Sequence, residues 1–398
     1  MTAPSLLALL DPALRQDPYP TYRHWRETAP ISGGDGQPLM VTRQRDCSDV
    51  LRDVRFGHLE ADQAGQTEQG GQLNSTPPEQ RSFLGMNPPD HTRLRGLVSK
   101  AFTRKVVERL APMISQTTDE LIGAARDAGT VNLMDAIARP LPVAVISELF
   151  DVPVEDRDLI VAWSHDMARG LDPDFLIPEG VRERQFRARA EFRAYMLQLA
   201  DKRRANPGED LLSGLVQVHD DDGDVLSEAD LLTTCILLLI AGHETTVNLI
   251  GNGTLALLRN PGQLARLRAH PELADRAVEE FLRYDPPVQF TARIALQDTK
   301  VGEVDAPTGT NAILLLGAAN RDPEVCEEPD ALDIGREPSR HLAFGHGPHF
   351  CLGAPLARLE GRIIFQALAR LDVLEATGEP TYNDNIILRG MRELPVRL

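Results

Sequence analysis

His341-Leu-Ala-Phe-Gly-His-Gly-Pro-His-Phe-Cys-Leu-Gly353 sets one thiol, Cys351, between a glycine-broken loop and a helix-forming run, Leu356 to Leu371 (LARLEGRIIFQALARL). The sulfur therefore stands just ahead of a helix N-terminus. Exposed amide donors and the positive end of the helix dipole favour a thiolate there. Leu352, Gly353 and Ala354 can supply such amides; Pro355 cannot, and a proline this early in a helix loses nothing by it. An isolated cysteine is commonly a small buried hydrophobe. Here its surroundings are those a soft metal requires of a ligand.

The pattern Phe344-Gly345-x-Gly347-x-His349-x-Cys351-x-Gly353, continued by Ala357 and Arg358, resembles the haem-binding loop of the cytochrome P-450 family, the haem-thiolate monooxygenases. Matching segments recur in order from about Asp17 to the C-terminus. The resemblance implies haem b with Cys351 as axial thiolate, and Phe344, Gly345, His349 and Gly353 around it. No CxxCH motif occurs, so the haem is expected to be non-covalent.

Composition sets limits around that reading. In 398 residues the net charge is −17, which disfavours a nucleic-acid partner. Cys47, Cys235, Cys326 and Cys351 are widely spaced and suggest neither a disulfide framework nor a zinc site. The apolar run near the N-terminus is short and lacks a basic region, and Leu231–Ala241 falls short of the roughly 20 residues that cross lipid. A cytoplasmic protein with no membrane partner is expected. Helical periodicity dominates after a β-rich opening, PISGGDGQPLMVT. The expected class is mainly α (α-rich α+β), a single large helical domain over 1–398 with small β-sheets. The haem would lie between a long central helix and the Cys loop.

That central helix should start at Ser227, with Asp230 completing a cap, and stop at Asn260-Pro261-Gly262. Its roughly 30 residues would span ~45 Å at about 1.5 Å per residue. Ala241-Gly242-His243-Glu244-Thr245-Thr246 puts small and polar residues on one turn. A mid-helix threonine commonly bonds back to the preceding turn. The resemblance implies more: Ala241 and Gly242 admit the haem face, Thr245 holds water beside dioxygen, and Glu244 links that water to solvent as a proton relay. HExxH is absent because Val247 takes its last position, so His243 reads as structural.

Spacing alone makes Glu280 and Arg283, at i and i+3 in PELADRAVEEFLRYDPP, an ordinary helix ion pair. The resemblance implies a buried structural pair, joined by a further arginine, behind the haem loop. Ala331 stands where relatives often carry that arginine, leaving Arg336 or Arg340 to substitute. Haem propionates need cations. His91 and Arg95 in NPPDHTRLR, Arg293 in FTARIAL, and His349 match the family's phrases for that role; Asn87 stands where an aspartate is frequent.

No convincing nucleotide fingerprint is present; Gly251-x-Gly253-x-x-Ala256 lies inside the long helix. The acidic run Asp220–Asp224 reads as a turn. Electrons are expected from a ferredoxin and a ferredoxin reductase; the resemblance puts Arg104, Lys105, Arg358 and Arg362 on the cysteine side of the haem, where they could form a basic dock. The chain is expected to be monomeric and to use O2 on a hydrophobic small molecule. Expected substrate walls are the 57–86 covering loop, the 165–185 region with Met167, Leu171 and Phe175, then Leu238, Ala241, Val288, Phe290 and a turn near Met391. The competing readings are a peroxide-driven haem-thiolate enzyme and a non-catalytic haem sensor.

Overall fold

The computed structural model describes residues 7–34, 36–58, 82–168, 172, 177–218 and 225–398. Most of the 57–86 loop, Leu171, Phe175 and the Asp220–Asp224 run lie outside the described residues. The helices around the site are α1 (Asp90–Ala101), α2 (Ala111–Ala128), α3 (Arg157–Ala168), α4 (Glu179–Ala205), α5 (Glu228–Arg259), α6 (Ala274–Tyr284) and α7 (Ala354–Ala369).

Helix α5 begins where expected. The Asp230 amide donates to Ser227 Oγ at 3.0 Å and the Ser227 amide to Asp230 Oδ2 at 3.3 Å, a complete capping box. It ends at Asn260, ahead of Pro261. Leu231 to Leu257 is largely buried, because the helix threads the main core and meets α3, α4, α6 and α7. By length and composition α5 does reach the size of a membrane span, contrary to expectation, with a mean hydropathy of 1.3. It is a core helix nonetheless, since 67% of that apolar window is buried inside the fold.

Close helix contact requires small residues. A Cβ on Gly253 would come within 2.4 Å of the Phe365 ring and 2.9 Å of Phe281, two rings that pack at 4.6 Å between α6 and α7. The Gly251–Gly253 pair is thus a packing seam of α5.

The β-rich opening forms a hairpin, β1 (Ile31–Gly34) and β2 (Gln37–Val41). With β3 (Phe56–Gly57), β4 (Thr291–Ala295) and β5 (Asn311–Leu314) it makes a sheet in the order β1-β2-β5-β4-β3. Only the β2–β5 pairing is parallel. Alternation splits the sheet's two faces: Leu39, Val41 and Leu314 pack with Cys47 and Phe56, while Met40 and Ile313 pack with Tyr22 and Trp25.

Two of the expected substrate-wall residues are buried. Phe290 is buried in the cluster of Tyr19, Tyr22 and Trp25. Met391 opens the strand Met391–Glu393 just past the 383–390 connection, which the Asn383 amide closes on the Gly390 carbonyl at 3.1 Å; it is 1% exposed, and its methyl group would lie 3.1 Å from a Cβ on Gly251.

Candidate haem site

The Cys351 loop is held by its own backbone. Gly345 and Gly347 take φ of 69° and 70°, which side chains resist, and a Cβ on Gly347 would strike the Leu51 carbonyl oxygen at 2.4 Å. The Cys351 amide donates to the Phe344 carbonyl at 2.8 Å, closing the loop. Burial pushes the Cys351 thiol up, while the amides of Gly353 and Ala354 and the charges of Arg95 and Arg358 oppose that shift. The amide-rich setting read from sequence is present, and two arginines add to it.

Arg358 binds Glu279 of α6 through both ends of its guanidinium, at 2.6 and 2.9 Å, and lies 4.6 Å from the centre of the Phe344 ring. His341 Nε2 is 3.3 Å from the same carboxylate. Burial would raise the Glu279 carboxyl, but His341 and Arg358 hold it down to about 2. Sequence reasoning missed Glu279 because its partners lie 62 and 79 residues away and no spacing rule links them.

On α5, Ala241 is exposed although Leu239 and Ile240 before it and His243 and Thr246 after it are buried. An open face therefore exists at mid-helix. Leu238, one turn earlier, packs at the edge of the main core, as does Cys351. Thr245 Oγ1 donates to the Ala241 carbonyl at 2.5 Å, the back-bond that spacing allowed. Burial raises the Glu244 carboxyl to about 7, with Arg139 opposing. His243 has the opposite fate: burial lowers its imidazole to about 4, and Nδ1 meets Ser164 Oγ of α3 at 2.6 Å.

Four candidates from three distant segments converge. The rings of His91 (α1) and His349 stand 4.1 Å apart, and Arg95 Nη2 donates to the Phe350 carbonyl, next to Cys351, at 2.5 Å. Burial lowers the His349 imidazole to about 2, aided by Arg293, His58, His91 and Arg95. Burial likewise lowers Arg293 to about 10. His91 Nε2 and His349 Nδ1 are buried without hydrogen bonds, and no carboxylate forms an ion pair with Arg95 or Arg293 among the described residues. Such a corner suits the two propionates of haem, whose negative charge and acceptor oxygens would answer these donors. Asn87 does a different job: its amide exchanges two hydrogen bonds with the His58 backbone, at 2.8 and 2.7 Å.

Behind the loop, Glu280 and Arg283 are 3% and 1% exposed and bonded at 2.7 and 2.8 Å. Arg336 supplies the third cation, its Nε 3.3 Å from Glu280. Val288 forms a bridge with Leu388, so the chain beside it is the 386–388 segment, ahead of Met391. Met167 is 1% exposed in the main core. Of the expected dock, Arg358 is engaged by Glu279, Arg104 pairs with Glu108 at 2.6 Å, and Arg362 lies 3.9 Å from Asp275.

The family model described as Cytochrome P450 matches residues 56–384. The cytochrome P450 monooxygenase PikC of Streptomyces venezuelae is 41% identical, over 96% of this chain and 91% of that protein. The polyketide biosynthesis cytochrome P450 PksS of Bacillus subtilis is 39% identical, over 96% of each. The ligand-free crystal structure of CYP164A2 from Mycobacterium smegmatis superposes with a TM-score of 0.89 at 45% identity, covering 99% of both chains. With a mainly helical fold, a cysteine loop at a helix start and near-full-length relatives at this identity, the chain belongs to the cytochrome P450 family, the haem-thiolate monooxygenases that carry haem b on an axial cysteine thiolate.

Proposed function

We propose that this monooxygenase uses O2 and two electrons from a ferredoxin and its reductase to hydroxylate or epoxidise a hydrophobic natural-product intermediate. The observation that carries the site assignment is the uncompensated corner of His91, Arg95, Arg293 and His349, joined to the Cys351 loop through Phe350. Cys351 is the axial ligand in this reading; Phe344, Gly345 and Gly353 shape its loop, and the four basic side chains hold the propionates. Haem, when bound, activates dioxygen so that one atom enters the substrate and the other leaves as water.

The chain's own residues manage protons. Thr245 spends its O–H on the Ala241 carbonyl, so its oxygen is free to accept a hydrogen bond from a water beside Ala241 and Gly242. Glu244, raised to about 7, can both give and take a proton near neutrality. Glu280, Arg283 and Arg336 brace the loop from behind. Leu238, Ala241, Val288, Phe290 and Met391 are the residues assigned to the apolar substrate wall in this reading. The name of PksS supports a natural-product substrate. The chain would act as one catalytic domain, monomeric and in the cytoplasm.

The carbon monoxide difference spectrum of the reduced protein tests the ligand assignment. It should show the thiolate-type band in the parent protein and lose it in Cys351→Ala; retention in the variant overturns the assignment.

A further inference from the structure

Two guanidinium groups act on the Cys351 thiol, and the fold treats them unequally. Burial raises the thiol, and the charges of Arg95 and Arg358 both oppose that rise. Arg95 donates to the Phe350 carbonyl and has no carboxylate ion pair among the described residues. Arg358 is answered by a carboxylate, Glu279, at 2.6 and 2.9 Å. One positive charge is left open beside the sulfur and the other is cancelled.

Glu279 stands on α6, and its partners come from two other elements. Arg358 belongs to the early part of α7, the helix that follows Cys351, and His341 opens the approach to the Cys loop. His341 Nδ1 accepts from the Ala343 amide at 3.2 Å, so in the neutral ring Nε2 carries the hydrogen and turns it to the Glu279 carboxylate, 3.3 Å away. The carboxylate thus takes three donors. Its grip sets where Arg358 points. The Arg358 side chain is 39% exposed, enough to turn to water if released, yet its guanidinium is held 4.6 Å from the centre of the Phe344 ring. The Phe344 carbonyl in turn accepts the Cys351 amide at 2.8 Å, so the chain of contacts from Glu279 ends at the thiol's own residue.

One-electron reduction adds one negative charge to a haem–thiolate unit. A fixed cation near the sulfur therefore favours the reduced form and a fixed anion the oxidised form. We propose that Glu279 is a positioning residue that fixes Arg358 over Phe344 and cancels its charge, and so sets the reduction potential of the cysteine-ligated haem. This rests on Cys351 being the axial ligand. The pair ties α6 to α7 beside the Cys loop while adding little net charge beside the sulfur, which keeps the thiolate electron-rich.

The test is a spectroelectrochemical titration of the substrate-free, haem-loaded protein at fixed pH and ionic strength. Glu279→Gln leaves Arg358 uncompensated and should shift the ferric/ferrous equilibrium about threefold or more towards the reduced form, ~30 mV at 59 mV per tenfold. Arg358→Gln leaves the carboxylate alone and should shift it by a similar factor the other way. The double variant should lie closer to the parent than either single variant. Arg362→Gln removes an equal charge one turn further along α7, beside Asp275, and should shift the equilibrium less than either. Lost packing alone would lower the thermal midpoint in both single variants without giving their potentials opposite signs. Shifts of the same sign, smaller shifts, a double variant no closer to the parent, or an equal shift in Arg362→Gln overturns the proposal. Should Glu279→Gln fail to fold, Arg358→Gln against Arg362→Gln decides it by the same criteria. A parent protein without the thiolate-type carbon monoxide band overturns the axial-ligand reading instead.

Discussion

Arg336 Nε lies 3.3 Å from the carboxylate of Glu280, which Arg283 already grips with two hydrogen bonds. The two arginines are not equivalent. Arg283 is 1% exposed and also donates to the carbonyls of Pro329 and Ala331, whereas the Arg336 side chain is 18% exposed. Removing Arg283 leaves a buried carboxylate short of its main partner; removing Arg336 leaves the bidentate pair intact. Arg283→Met should therefore cost about 3–5 kcal/mol and Arg336→Met about 1–2 kcal/mol. Urea unfolding of both variants checks this, and equal losses would refute the ranking.

If Thr245 accepts a hydrogen bond from water as proposed, Thr245→Ser should retain coupling of electron use to product while Thr245→Ala should lower it by about tenfold or more. Product formed per electron pair consumed, with peroxide release measured in parallel, is the readout. Equal coupling in the alanine and serine variants would remove Thr245 from proton delivery.

Glu360 of α7 is 2% exposed with Oε2 unbonded, and burial raises its carboxyl to about 8. Because the unfolded chain ionises this group near the ordinary carboxylate value, the folded state binds more protons between that value and about pH 8. Its contribution to stability is complete below the unfolded pKa and is lost as pH rises through about 8. Glu360→Gln should flatten stability between pH 5 and 8.5 by on the order of 2–4 kcal/mol. Unfolding curves at the two pH values, parent against variant, decide it; an unchanged slope would mean Glu360 is paired or solvated.

Gly253→Ala should destabilise the fold by about 1–3 kcal/mol, since its methyl group has no room beside Phe365 and Phe281. Phe365→Leu in the same chain should recover part of the loss, as seen in the thermal midpoint. Additive losses would show that the seam is not what the glycine serves.

Much of the site was legible because its chemistry is local. The glycines that turn the Cys351 loop, the helix start after it and the capping box of α5 each depend on residues a few positions apart. Glu279 was not legible, because Arg358 and His341 reach it only after α6 and the loop have packed. Arg336 could not be separated from Arg340 for the same reason. The burial of Phe290 and Met391 was likewise not legible, because sequence names the strand but not the face it turns to the core.

By itself the sequence determined the helical class, the position of the single loop thiol, the acid-threonine turn within a long buried helix, and the identity of the basic residues available to an anionic cofactor. Tertiary structure alone decided which of those charges remain unneutralised. Among the described residues Arg95 and Arg293 meet His91 and His349 from three segments with no carboxylate ion pair, whereas Arg358 is captured by Glu279. The reason is physical: helix capping and turn chemistry act between neighbours in the chain, whereas burial and charge compensation are properties of what surrounds a side chain after folding.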